Sequence, residues 1–180
     1  KRTIEFSQLA RYIEQICAGL AHAHKNGVIH RDIKPQNLLL TADLSTVKIA
    51  DFGVARFSIA DSPITRVGTN AYAPPEHSPL SAANLGEAKL TPAADIYSLA
   101  KTIYTLVTRE SPRAFAGRTI DELPSEIRYE PWAASLLRVL RKATLEVPSL
   151  RQQTVEEFWR DLEDFISQIG DTEPETLIQR

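Results

Sequence analysis

Four side chains carry the chemistry this sequence offers. Asp32, Lys34 and Asn37 lie close together in His30-Arg31-Asp32-Ile33-Lys34-Pro35-Gln36-Asn37-Leu38, and Asp51 follows nineteen positions after Asp32. A carboxylate is ionised at neutral pH and needs only placement to accept or orient a hydroxyl proton. An amide and a second carboxylate offer the hard oxygen atoms that Mg²⁺ takes from a protein, the remainder of its shell coming from water and phosphate. A lysine, a compact positive charge, stands two residues from the acid. Acid, cation and two oxygen ligands in this order suit phosphoryl transfer from a metal-bound nucleoside triphosphate. Taken singly, each has a plainer use: a turn for Asp32, solvent for Lys34, an Asx turn for Asn37, a strand end for Asp51. The combination is what favours chemistry.

The elements that must position these groups can be read along the chain. From Ser7 to Lys25, Leu9, Ile13, Ile16, Cys17, Leu20 and His24 form a helical stripe, and Asn26-Gly27 supplies a left-handed stop. Val28-Ile29 enters the loop of Asp32, Leu38-Leu39-Leu40 leaves it, and after a polar turn at Asp43 to Thr46 the run Val47 to Ala50 alternates as a strand, so both acids hang from a small hairpin. Residues 54 to 72 are rich in Ser, Thr, Gly and Pro and predict a mobile loop fixed at Ala73-Pro74-Pro75-Glu76. Thr91 is expected to cap, and Pro92 to open, a central buried helix with Ile96, Leu99, Ala100, Ile103, Leu106 and Val107. Thr119-x-x-Glu122 and Thr154-x-x-Glu157 match the capping-box pattern; the second opens a helix through Val155, Phe158, Leu162, Phe165, Ile166 and Ile169, and Trp132 to Lys142 supplies another amphipathic helix. His22 and His24, two apart on a helix, face different ways, which argues against a metal pair.

Composition sets bounds. The 180 residues, 43% hydrophobic and 24% charged, suit one globular unit with a real core. A net charge of −2, with scattered basic residues, predicts no nucleic-acid partner. The single cysteine, Cys17, excludes an internal disulfide and suits a buried thiol in a reducing compartment. No apolar run approaches a membrane span, so this segment is expected to be soluble, without membrane contact and cytoplasmic, although a longer parent could be anchored elsewhere.

The loop around Asp32, the triplet Asp51-Phe52-Gly53 and the segment Gly68-Thr69-Asn70-Ala71-Tyr72-Ala73-Pro74-Pro75-Glu76 together resemble the eukaryotic-type serine/threonine protein kinases. The resemblance implies a mainly α fold, the helical C-lobe of the kinase fold, with the small hairpin carrying the catalytic and metal-binding loops. It implies that Asp32, Lys34 and Thr69 act in catalysis, that Asn37 and Asp51 hold Mg²⁺, that ATP is the co-substrate with Leu39 on the floor of its site, and that a protein hydroxyl is the acceptor. His30 and Phe52 would pack together, Gly53 would complete the metal loop, Asp95 would tie down the catalytic-loop backbone, and Glu76 would pair with Arg151. Arg31 would grip a phosphate on the loop before Gly68, with Thr65 as first candidate and Ser58 and Ser62 behind it.

Pro74, where relatives carry alanine, and Ala100, where they carry glycine, are mild departures. The connection from His77 to Lys89 is longer than the pattern expects. The 180 residues contain no G-x-G-x-x-G, so residues 1–169 are expected to be the C-lobe, partnered by a missing N-lobe, with 170–180 a polar tail or linker. The isolated chain is then expected to be inactive toward Mg-ATP and to expose an apolar face around Leu39 on which copies could self-associate. The alternative is a pseudokinase or a docking or regulatory fragment; intact Asp32, Asn37 and Asp51 argue against it.

Overall fold

The computed structural model describes residues 5–52, 71–77 and 91–170. Among these, four α-helices and one two-stranded antiparallel sheet make up the regular structure: α1 (Phe6–Lys25), β1 (Leu38–Leu40), β2 (Val47–Ile49), α2 (Pro92–Thr108), α3 (Ala133–Ala143) and α4 (Val155–Gly170). The expected mainly α architecture with a small hairpin is therefore what the chain adopts. No helix among the described residues is long and apolar enough to cross a membrane.

Each helix buries the stripe its sequence marks. In α1, Leu9, Tyr12, Ile13, Ile16, Cys17, Leu20 and Ala23 are buried, and the helix ends where Gly27 adopts φ +74°, a conformation that glycine enters without Cβ strain. Burial pushes the Cys17 thiol up to about 12, so it is protonated and inert at neutral pH. In α2 every residue from Ala93 to Tyr104 is buried, so this helix is the centre on which the others lie. Helix α4 packs against both α1 and α3, and the fully buried Trp132 meets Phe6 and Phe165 at ring-centroid distances of 5.6 Å each. Full burial of one such large apolar side chain contributes about 1.5–3 kcal/mol.

Of three capping expectations, one fails and two hold in part. Thr91 occupies the N-cap position of α2 with extended backbone, but its side chain makes no capping hydrogen bond; Pro92 at the first helical position has no N–H to satisfy. Thr119-x-x-Glu122 opens no helix. Ile120 and Leu123 are drawn into the core, Pro124 disfavours helical backbone at Leu123, and Thr119 Oγ1 donates to Thr144 O at 3.0 Å. At α4, Thr154 Oγ1 accepts the Glu157 N–H at 3.1 Å, but the Glu157 carboxylate accepts from Gln153 N at 2.8 Å rather than from Thr154.

The central helix also buries a lysine that hydropathy did not flag. Lys101 is fully enclosed, its Nζ donating to Phe115 O at 2.6 Å and Arg118 O at 2.8 Å between the rings of Tyr97 and Phe115. Burial, with repulsion from Arg118 second and the attraction of Asp121 opposing, pulls its pKa down to about 7. The two hydrogens of a neutral amine match the two carbonyls. Both carbonyls have another donor, Arg118 N on Phe115 O and Tyr97 OH on Arg118 O, so removing the amine orphans neither.

A lysine whose folded pKa lies below its unfolded value leaves the unfolded chain holding more protons above pH 7, so stability rises with pH from about 7 toward 10.5. Cys17 and Tyr104, both raised to about 12, act with the opposite sign only above about pH 8.5. Lys101→Met is therefore expected to melt higher than the parent at pH 6 and to flatten the gain between pH 7 and 8.5. Thermal unfolding followed by circular dichroism across that range checks this.

Candidate active site

The site is assembled at the point where α1, the hairpin and α2 meet. After α1 ends, residues 28–34 run as an irregular loop into a single 3₁₀ turn, Pro35–Asn37, which leads directly into β1. The loop backbone is held from beneath by Asp95 in the first turn of α2. Its fully buried carboxylate accepts His30 N–H at 2.7 Å through Oδ2 and Arg31 N–H at 2.7 Å through Oδ1, and His24 Nε2 stands 2.8 Å from Oδ2. These bonds hold Arg31 at φ +76°, a region that non-glycine residues rarely enter.

His30 links this loop to the hairpin. Its Nε2 donates to Ala50 O at 2.8 Å and its Nδ1 accepts Asp32 N–H at 3.2 Å, so both ring nitrogens are engaged and the imidazole is a brace rather than a free base. The Phe52 ring packs on it at 4.6 Å between centroids. Asp32 stands partly buried beside this brace. Its Oδ2 receives Lys34 Nζ at 2.6 Å and Asn37 Nδ2 at 3.2 Å, and Asn37 Nδ2 also donates to Asp32 O at 2.7 Å. Both near donors thus converge on one carboxylate oxygen.

The hairpin brings Asp51 to the same place. Leu38 pairs with Ile49, Leu39 with Lys48 and Leu40 with Val47, and beyond this ladder Ala50 N–H donates to Asn37 O at 2.8 Å. Asn37 therefore stands across from Ala50, and Asp51 is one residue further, exposed and at φ +61°. Leu39, on β1, is 55% exposed, and Leu40, Val28 and Phe52 are also exposed. Among the described residues no group of three or more His, Cys, Asp or Glu side chains is placed to hold a metal by itself.

A second long-range tie joins the 71–77 segment to the chain ahead of α4. Arg151 is buried and forms a bidentate pair with Glu76, Nη1 to Oε1 at 2.7 Å and Nη2 to Oε2 at 2.9 Å. The remaining donors reach Leu145 O at 2.6 Å, Glu146 O at 3.0 Å and Ala93 O at 3.3 Å, and the guanidinium lies over the Tyr97 ring at 4.8 Å. Nearby, Tyr72 OH and Thr105 Oγ1 are 3.1 Å apart, so the 71–77 segment is anchored to α2 as well as to Arg151.

Over residues 1–176 the chain matches the family model described as the protein kinase domain. The chain belongs to the protein kinase family. The mainly helical architecture with one small hairpin agrees with the C-lobe of that fold. Among similar proteins, the serine/threonine-protein kinase PknB of Mycobacterium tuberculosis is 35% identical over 176 residues, covering 90% of this chain and 26% of the relative. The serine/threonine-protein kinase PknD of Protochlamydia amoebophila is 34% identical over 191 aligned residues, covering 88% and 18%. The hormonally up-regulated neu tumor-associated kinase of Homo sapiens is 31% identical over 169, covering 84% and 22%. The chain thus spans about a quarter or less of the length of these kinases.

Of the residues singled out by the kinase resemblance, the structure joins Asp32 to Lys34 and Asn37, packs Phe52 on His30, carries Asp51 on the strand end across from Asn37, leaves Leu39 exposed on β1, places Asp95 under Arg31, and joins Glu76 to Arg151. Gly53, Thr65, Thr69, Ser58 and Ser62 lie outside the described residues, as do 78–90 and 171–180. Sequence reasoning missed His24: its place on the apolar stripe concealed an imidazole that serves Asp95, a contact between residues 71 apart.

Because Arg151 satisfies all its donors inside the protein, truncation leaves Glu76 and three carbonyls facing a void. Breaking a buried pair from one side costs about 3–5 kcal/mol. Arg151→Ala is expected to lower the urea midpoint by a corresponding amount with unchanged slope; a midpoint equal to the parent's contradicts this account.

Proposed function

We propose that this chain is the catalytic C-lobe of an ATP-dependent serine/threonine protein kinase, with residues 1–169 forming the lobe and a protein hydroxyl receiving the phosphoryl group. The observation that carries the reading is the state of Asp32. Lys34 and Asn37 both occupy Oδ2, which leaves Oδ1 to receive an incoming hydroxyl in this reading, while Asp95 and His30 hold the backbone from below. The names of the bacterial relatives, both serine/threonine-protein kinases, support the acceptor class.

In this reading Asp32 accepts the hydroxyl proton as the oxygen attacks the γ-phosphorus, the bond from that phosphorus to the β,γ-bridging oxygen breaks and ADP leaves, and Lys34 exchanges its bond to Asp32 for the transferring phosphoryl oxygens. Asn37 and Asp51 would hold Mg²⁺: the Asn37 nitrogen is spent on Asp32, which leaves its carbonyl oxygen as the ligand atom, and Asp51 is exposed beside it. When bound, the ion neutralises charge on the β- and γ-phosphate oxygens. Two protein oxygens would leave most of the ion's ligands to water and phosphate, so metal and nucleotide would bind together. The Arg31 Nε is buried and has no hydrogen-bond partner among the described residues, which supports its assignment to a phosphate on the loop that contains Thr65.

Transfer of radiolabelled phosphate from ATP to a protein substrate by the native full-length protein tests this. Asp32→Asn is expected to lose on the order of 10²–10⁴ in rate, as for removal of a positioned general base. Thr65→Ala is expected to lower activity without altering the melting temperature, and the isolated 180-residue chain to show neither transfer nor measurable ATP binding. Full activity in Asp32→Asn contradicts the reading.

A further inference from the structure

Helix α1 grips the hairpin with side chains as well as by packing. Gln8, Tyr12 and Gln15, spaced i, i+4 and i+7, share one face of the helix. Tyr12 OH donates to Leu44 O at 2.7 Å, and Gln8 Nε2 donates to the same carbonyl at 3.1 Å. Gln15 does something different: its Nε2 donates to Ser45 O at 3.1 Å while its Oε1 accepts Val47 N–H at 2.8 Å. One amide thus pairs with the entry of β2 as a neighbouring strand would. Further along β2, Ile49 Cδ1 lies 3.6 Å from where a Cβ on Gly19 would stand, so the strand rests close against the helix.

The grip has a consequence at the other end. The hairpin has three ladder pairs, and an isolated two-stranded hairpin is marginal in water. Its placement is therefore set from outside, by α1 at the turn and by His30 at Ala50. The strand that Gln15 fixes is the one that delivers Asp51, held at an unfavourable φ of +61°, across from Asn37. Without the Gln15 bonds, less opposes a shift of β2 and a relaxation of Asp51: the three-pair ladder, the Ala50–Asn37 bond and the His30 bond to Ala50 remain.

We propose that Gln15 is a positioning residue for the metal–nucleotide site: by clamping Ser45 and Val47 it sets the separation of Asn37 and Asp51. This rests on the reading of Asn37 and Asp51 given above. Gln8 is outside the proposal, because Leu44 O keeps its Tyr12 donor when Gln8 is removed.

The test uses the native full-length protein and three readouts: hydrogen exchange at the Ala50 amide without ligand, affinity for Mn²⁺ with a non-hydrolysable ATP analogue by water-proton relaxation, and the Mg²⁺ dependence of phosphate transfer. Gln15→Ala is expected to speed Ala50 exchange, to weaken Mn²⁺–nucleotide binding on the order of tenfold, as loss of an outer-shell support typically does, and to raise the Mg²⁺ half-saturation in step, with kcat at saturating Mg²⁺ preserved. Gln15→Glu, which keeps the acceptor for Val47 N–H and loses the donor to Ser45 O, falls between, and Gln8→Ala matches the parent. Parental Mn²⁺–nucleotide affinity in Gln15→Ala, unchanged Ala50 exchange, or an equal loss in Gln8→Ala overturns the proposal while leaving the kinase reading intact. A parent protein that binds no Mn²⁺–nucleotide overturns the site reading itself.

Discussion

One buried carboxylate organises this lobe. Asp95 is wholly out of solvent, where an unpaired charge is costly, and it is compensated by the amides of His30 and Arg31 together with the His24 imidazole. The arrangement is reciprocal. The loop gives Asp95 its donors, and Asp95 gives the loop a conformation that it has no intrinsic reason to adopt, with Arg31 in left-handed backbone. Position in the first turn of a helix adds a favourable dipole to the negative charge. The loop residues that follow, from Asp32 to Asn37, are suspended from that point.

The second constraint is that the functional segments have little regular structure of their own. The loop of Asp32 is irregular, the hairpin is short, and the 71–77 segment consists of turns. Each is fixed by side chains reaching from a helix: Asp95 from α2 to the loop, Gln15 and Tyr12 from α1 to the hairpin. Arg151, just ahead of α4, plays the same part for Glu76, and Lys101 for the chain around Phe115. The helices form a rigid bed because α2 is buried on all sides, and precision is transmitted upward through a few charge-assisted bonds.

How much of this was legible in the sequence depends on the kind of interaction. The four helices and the hairpin followed from periodicity and stop signals, and each appears within a residue or two of where the apolar stripe put it. Residues that act through local spacing, Asp32, Lys34 and Asn37, were legible because six residues of loop bring them together by themselves. Long-range partners were legible only where a family pattern names both, as with Glu76 and Arg151. His24, Gln15 and Lys101 were not. An imidazole on an apolar stripe, a glutamine on a helix flank and a lysine inside a hydrophobic helix acquire their meaning from residues 71, 32 and 14 positions away. Thr119-x-x-Glu122 failed for the complementary reason: a local capping signal yielded to the burial of Ile120 and Leu123 in the core.

The claim that Asp95 sets the loop is tested most directly by backbone hydrogen exchange in Asp95→Asn, an isosteric change that removes one acceptor and the charge. The account predicts that the amides of His30 and Arg31 lose protection by orders of magnitude while those in the middle of α2, from Leu99 to Tyr104, exchange as in the parent. Unchanged protection of His30 and Arg31 would mean that the loop holds its own shape, and that Asp95 is a bystander.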